Sequence, residues 1–194
     1  MGDMKVHNFR LTLSGFSEIT DDVENSLFEA GCDDGQLGMI DRVGFIEFDR
    51  QAPSFLQAVC SAIENVEGAG YRVVRVEPED LVTAAEIARR WHRTRASVSS
   101  LISGERGPGT FPRPISYVDT KSPLWRWSEV TRWLSDFEGA ETDAAEQAED
   151  LAFVNDLLSL RPKFGREARL RDVVRRLKIP DSEPVRRLKS AIVA

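Results

Sequence analysis

Positions 7 to 13 alternate: His7, Phe9, Leu11 and Leu13 fall on one side of an extended chain and Asn8, Arg10 and Thr12 on the other, which predicts a half-buried strand. Gly15 and the acidic cluster after it open a helix over roughly Glu18 to Ala30, with Ile19, Val23 and Leu27 on one stripe. Two short apolar strands follow, Leu37 to Ile40 and Val43 to Phe48, turned at Asp41 and Arg42. Pro53 starts a second helix in which Leu56, Val59, Cys60 and Ile63 recur at i, i+3, i+4 and i+7. After Gly68 and Gly70, YRVVRVE reads as a last strand.

This order, βαββαβ, is the ferredoxin-like arrangement. Pro78 closes it, and Leu81 opens a different pattern. TAAEIARRW predicts a helix with Ile87, Ala88 and Trp91 inward; after three turn residues, Thr94 caps a second helix that reaches Ser103. Two short helices joined in this way form a helix-turn-helix. GERGPGTFPRP is too rich in Gly and Pro for regular structure, ISYV and LWRW joined by DTKSP predict a hairpin, and SEVTRWL predicts a third helix with Ser128 as its cap. Helix, turn, helix, loop, hairpin and helix make a winged helix-turn-helix.

Beyond Gly139 the pattern is helical again. Thr142 to Leu160 carries a stripe of Ala145, Ala148, Leu151, Val154, Leu157 and Leu158, and two more helices are expected over roughly Glu167 to Lys178 and Glu183 to Val193. Such stripes imply packing or self-association. The predicted fold is therefore α+β in three parts: an acidic ferredoxin-like domain over 1–80, a winged helix-turn-helix over 81–138, and a helical assembly region over 139–194.

Composition changes this picture little. The chain has 194 residues, 41% apolar and 30% charged, as expected of an ordinary globular protein. No apolar run approaches the ~20 residues that span a bilayer, and MGDMKVHN lacks the apolar core of a signal peptide, so no membrane partner and a cytoplasmic location are expected. Cys32 and Cys60 show no zinc spacing and are expected to be buried thiols without a disulfide.

Charge changes the picture more. The net charge of −6 argues against a nucleic-acid partner, but its distribution argues for one. Residues 1–80 hold 6 basic and 16 acidic side chains, a net of −10; residues 81–135 hold 9 and 4, a net of +5; residues 136–194 hold 11 and 12, a net of −1. The helix-turn-helix thus occupies the only basic third.

Within that third the second helix has an unusual outer face. With Val98, Leu101 and Ile102 inward, a 3.6-residue period puts Ala96, Ser99, Ser100 and Ser103 on the opposite side, with Thr94 and Arg95 at its start. A small, polar surface lets a helix lie deep in a DNA major groove ~12 Å wide. Arg95 is the one long donor on this face, while Arg89, Arg93, Arg113, Lys121 and Arg126 are candidates for phosphate contacts, which position without reading sequence. Trp91, Trp127 and Trp133 are expected in the core; Trp125 is open between core and base stacking.

The stretch LVTAAEIARRWHRTRASVSSLISG, then FPRPI, then LWRWSEVTRWL resembles the MerR and excisionase (AlpA-type) winged helix-turn-helix modules. The resemblance covers about 55 residues and rests on Ala88, Val98, the Leu101-Ile102 pair, the FPRP loop and the closing Ser-Glu-Val…Trp-Leu helix. It implies that the second helix enters the major groove of double-stranded DNA and that the hairpin wing touches the adjacent backbone. His92 stands where the family turn has Gly, and His tolerates positive φ better than most side chains.

Other chemistry is thin. His7 and His92 lie in different parts of the chain, the acidic pairs Asp21-Asp22 and Asp33-Asp34 lack the offsets of a calcium loop, and GERGPG lacks the Lys-Ser/Thr of a P-loop. No enzyme, cofactor or metal is therefore expected. The expected function is sequence-specific DNA binding, as a transcriptional regulator or excisionase-like architectural factor, with a homodimer formed through the C-terminal helices. The alternative is a sensor or adaptor whose first 80 residues bind a small molecule or a protein near Ser14, Gly15 and Phe16, as the shared topology of ACT-type regulatory domains suggests.

Overall fold

The computed structural model describes residues 4–139 and 142–161. Its contacts divide the chain into two compact units, Met1–Val154 and Asn155–Ala194. The architecture is mixed α+β, with a four-stranded antiparallel sheet and, among the described residues, six helices.

The sheet is built from β1 (Lys5–Ser14), β2 (Gly35–Ile40), β3 (Val43–Ala52) and β4 (Arg72–Glu77), in the spatial order β2-β3-β1-β4. The alternation of β1 does what its sequence predicts: His7, Phe9, Leu11 and Leu13 are all buried on one face. Leu11 sits opposite Ile46 of β3 and Val76 of β4, and Phe9 stacks on Phe48 at 5.4 Å. The β2–β3 turn falls at Asp41 and Arg42, whose φ values of 49° and 65° form the mirror-image turn that suits a two-residue hairpin.

Two helices cover the buried face. In α1 (Asp21–Glu29) the cap is Thr20, whose hydroxyl accepts from Val23 N at 3.4 Å, so the helix starts later than its stripe suggests and Ile19 is left outside it. In α2 (Phe55–Gly68), capped by Ser54, the buried positions are Phe55, Ala58, Val59, Ala62, Ile63 and Val66. Leu56 is only half-buried and Cys60 is exposed, so the expected stripe was rotated away from the true face. The small Ala58 and Ala62, both fully buried, mark that face. Cys32 is buried as expected, and burial pushes its thiol up to about 11.

Arg50, a buried cation of β3, is fully satisfied. Its guanidinium donates to both Asp34 carboxylate oxygens at 2.8 and 2.7 Å, to Asn65 Oδ1 at 2.7 Å and to the Gly31 carbonyl at 2.7 Å. It ties β3 to α2 and to the α1–β2 connection.

The next part centres on β5 (Leu81–Val82), α3 (Ala84–Arg90), α4 (Arg95–Ile102), β6 (Trp125–Arg126) and α5 (Trp127–Glu138). Its core gathers Val82, Ile87, Ala88, Val98, Leu101, Phe111, Trp125, Val130 and Leu134. Trp125 is the fully buried tryptophan, and its indole donates to Pro112 O at 3.1 Å. Trp91, Trp127 and Trp133, expected in the core, lie half-buried at its margin.

The expected ISYV–LWRW hairpin is mostly absent. Ser116 and Leu124 form one isolated bridge, while Trp125 and Arg126 pair with Val82 and Leu81, more than forty residues back. Pro112, Pro114 and Pro123 have no N–H to give a ladder, and Tyr117 at φ 50° turns the chain out of strand geometry. Nor is Ser128 the cap of α5. Buried Asp80 does that work from across the unit: its carboxylate accepts from Ser128 N at 2.8 Å and from Arg126 Nη1 at 3.0 Å, and its carbonyl accepts from Trp127 N at 2.6 Å.

Along α6 (Thr142–Leu160), Ala145, Ala148, Leu151, Val154 and Leu158 are buried within the single chain and Leu157 is half-buried. The helices expected over 167–178 and 183–193, with Leu170, Val173, Val174 and Leu177, lie outside the described residues. No described helix is long and apolar enough to cross a membrane.

Candidate nucleic-acid interface

Local rules set both helices of the candidate site. Thr83 caps α3 by accepting from Glu86 N at 3.2 Å. Glu86 sits in the first turn and Arg89 and Arg90 in the last, each sign at the helix end that favours it. Hydrogen bonds from Arg89, then from Arg90, hold the Glu86 carboxyl at about 2. The helix closes as His92 N donates to Arg89 O and Arg93 N to Ala88 O at 2.9 Å, with His92 at φ 54°. The left-handed turn residue is thus a histidine, a conformation this side chain bears better than most.

Thr94 then caps α4 through Ser97 N at 3.2 Å. Val98 and Leu101 are buried and Ile102 half-buried, which fixes the rotation of the helix. The residues predicted to face outward do so: Thr94, Arg95, Ala96, Ser99 and Ser103 are exposed, and Ser100 is half-buried. Arg95 forms no ion pair among the described residues. Ser103 ends the helix as its C-cap, its hydroxyl donating to Ser100 O at 3.3 Å.

The five expected backbone-contacting cations divide into two sets. Arg113 and Lys121 are exposed in the long connection between α4 and β6. Arg89, Arg93 and Arg126 hold internal partners: Arg89 pairs with Glu86, Arg93 with Glu138 at 3.3 Å, and Arg126 with Asp80. The sequence reading missed Arg106. The loop that carries it is folded by glycines at positive φ, Gly104 at 76°, Gly107 at 79° and Gly109 at 71°. A Cβ on Gly107 would lie 2.9 Å from Leu101 Cδ2, so this close return onto α4 needs glycine. It brings Arg106 N to the Ser100 carbonyl at 3.0 Å and its Nη1 to within 3.5 Å of Ser97 Oγ. The signal for it in the sequence is Gly-Glu-Arg-Gly, an arginine between two turn-forming glycines.

A second feature lies in the sheet unit. Phe16 fills the first strand–helix loop, packing edge-on to Tyr71 at 5.2 Å and over Gly44. A cavity of about 360 Å³ opens instead between α1 and β2, lined in part by Leu27, Phe28, Leu37 and Ile46, with Glu24 and Asp33 among its polar groups.

No protein-family model, curated protein or solved structure matches this chain.

Proposed function

We propose that residues 81–138 form a winged helix-turn-helix that binds duplex DNA with α4 in the major groove, and that residues 5–77 form a ferredoxin-like unit joined to it. The outer face of α4 carries this reading: a run of small side chains with no bulky group across it, led at its N-terminal end by Arg95, which has no ion pair among the described residues. A helix so clad approaches base edges without a clash, and Arg95 supplies the long donor that reads a guanine. The exposed Arg113 and Lys121, on the connection where a wing would stand, suit phosphate contacts.

One module with one long reader covers few base pairs. Pairing of two copies across half-sites about one helical turn apart completes the reading. Leu151, Val154 and Leu158 are already buried within one chain and do not supply the surface of such a dimer.

Selection of bound duplexes from a random pool, followed by salt titration on the winner, tests the proposal. Log affinity should fall with log salt by ~0.9 per phosphate contacted. Arg95→Ala should cost ~1–3 kcal/mol and relax the selected motif at one position. A motif and affinity untouched by Arg95→Ala would remove α4 from the groove.

The α1–β2 cavity favours a second reading, in which the sheet unit binds a small molecule that regulates the chain. Its volume lies within the range of small-ligand sites. A metabolite retained by the purified protein on native mass measurement would support it.

A further inference from the structure

Beside α4 the structure gathers two arginines around one small cavity. It has about 80 Å³ of space and is lined by Trp91, Arg93, Ser97, Leu101, Arg106, Phe137 and Glu138. Both arginines are pinned through their backbones, Arg93 N on the Ala88 carbonyl at 2.9 Å and Arg106 N on the Ser100 carbonyl at 3.0 Å. The Arg93 guanidinium also lies over the Trp91 ring at 5.2 Å. Two forks and a serine hydroxyl converging on a small space are the donor set that oxyanions with several acceptor oxygens require.

The group facing these donors now is the Glu138 carboxylate, 3.3 Å from Arg93 Nη2. Its position is electrostatically poor in one respect. Glu138 is the last residue of α5, at the negative end of the helix dipole, and no basic residue of α5 stands in that turn to offset it. The carboxylate is therefore held mainly by the arginine that reaches it from the α3–α4 turn. It is also accessible, with 30% of its side chain exposed.

We propose that this cavity is the seat of a DNA backbone phosphate, and that Glu138 is its internal stand-in, occupying Arg93 in the free protein and swinging out to solvent when DNA docks. The inference rests on the DNA-binding reading and deepens it. It gives Arg93 and Arg106 one shared phosphate on the flank of α4, next to the base-facing side chains. It also gives the protein a built-in competitor that lowers affinity for every duplex alike. Because the competition acts at a backbone phosphate, it leaves sequence preference untouched. Weak binding to arbitrary DNA is thereby suppressed in proportion, while the selected site keeps its margin through Arg95.

The test uses the full chain and two duplexes, one selected and one of random sequence, titrated from low to moderate salt. Glu138→Gln, a surface change that removes one negative charge, should tighten binding to both duplexes by about three- to tenfold, and by the same factor on each. Arg106→Gln keeps the backbone bond to Ser100 and should weaken binding to both duplexes by the same factor, and Arg93→Gln with Arg106→Gln, which strips the seat of both its cations, should lower the salt slope by ~0.9, the signature of one phosphate lost. In an Arg93→Gln, Arg106→Gln background the Glu138→Gln gain should disappear. Glu138→Gln binding no tighter than wild type, or the Arg93→Gln, Arg106→Gln double variant with the wild-type salt slope, overturns the phosphate seat. Should the wild type bind neither duplex, the DNA reading falls and the seat with it. Should it bind both while these variants behave like wild type, the seat alone falls.

Discussion

In the sheet unit, four of the six cations, Lys5, Arg10, Arg50 and Arg75, end on a carboxylate, respectively Asp143, Glu47 with Glu77, Asp34, and Glu79, while Arg42 and Arg72 meet none among the described residues. In the following module, Arg95, Arg106, Arg113 and Lys121 meet no carboxylate among the described residues. Within this acidic segment Arg10 bridges neighbouring strands and Arg50 ties a strand to a helix, while the Lys5 and Arg75 pairs lie at the surface. The cations of the following module are offered to whatever approaches. Net charge hides this difference, because the chain as a whole is acidic. A cation's partner, more than its count, decides whether it stabilises the fold or meets a ligand. The arginines Arg93 and Arg126 sit between the two classes, bound to Glu138 and Asp80 yet partly exposed.

The largest expected effect belongs to the paired set. Arg50→Ala removes a buried cation and leaves Asp34, Asn65 and the Gly31 carbonyl without their donor. It should cost about 3 kcal/mol, roughly 6–12 °C in Tm by thermal denaturation. DNA affinity of the molecules still folded should not change. A parallel loss of DNA affinity among folded molecules would break the division between the two regions.

A smaller loss is expected at Asp80, which precedes the basic module and caps its last helix, α5. Asp80→Ala takes the cap from α5 and the partner from Arg126, and should cost about 2 kcal/mol in urea unfolding. Asp80→Asn, which keeps an acceptor for Ser128 N, should recover part of that loss. Equal loss in both variants would mean that charge alone, and not capping, is what Asp80 supplies.

The smallest effect is expected at Glu86 and is read through pH. The Glu86 carboxyl is held at about 2 by Arg89 and Arg90, below the ordinary 4.5. A depressed folded-state value adds stability that is fully present above pH 4.5 and is lost as pH falls toward 2. Because Arg89, whose hydrogen bond contributes most, is largely solvated, the gain should be below about 1 kcal/mol. The stability difference between wild type and Glu86→Gln should be flat above about pH 5 and shrink between pH 4.5 and 2. A difference that grows on acidification would contradict the assignment.

What the sequence disclosed and what it concealed follow from range. The β1 alternation, the Asp41-Arg42 turn, the Thr94 cap and the outward face of α4 are all decided within a few residues, and all are legible. The face of α2 was misread because Leu56 and Cys60 outweighed Ala58 and Ala62 as apolar markers, although close helix–sheet packing favours the small pair. The hairpin was misread because LWRW is β-prone but finds its partner at Leu81 and Val82. Asp80 reaches α5 over a separation of 48 residues, and local pattern carries no trace of that bond. Arg106 was passed over because glycines that look like punctuation instead fold its loop back onto α4. Charge patterning found the basic third, but only coordinates separate its offered cations from its paired ones.

The affinity of Ser99→Glu for the selected duplex tests most directly whether the outer face of α4 meets DNA. Ser99 is exposed on the outer face of α4 and takes no part in the core, so the thermal midpoint should move by less than about 2 °C. A bulky carboxylate at that point faces phosphates across the groove, and affinity for the selected duplex should fall at least about tenfold at moderate salt. Undiminished DNA affinity in a folded Ser99→Glu protein would show that this face of α4 does not meet DNA.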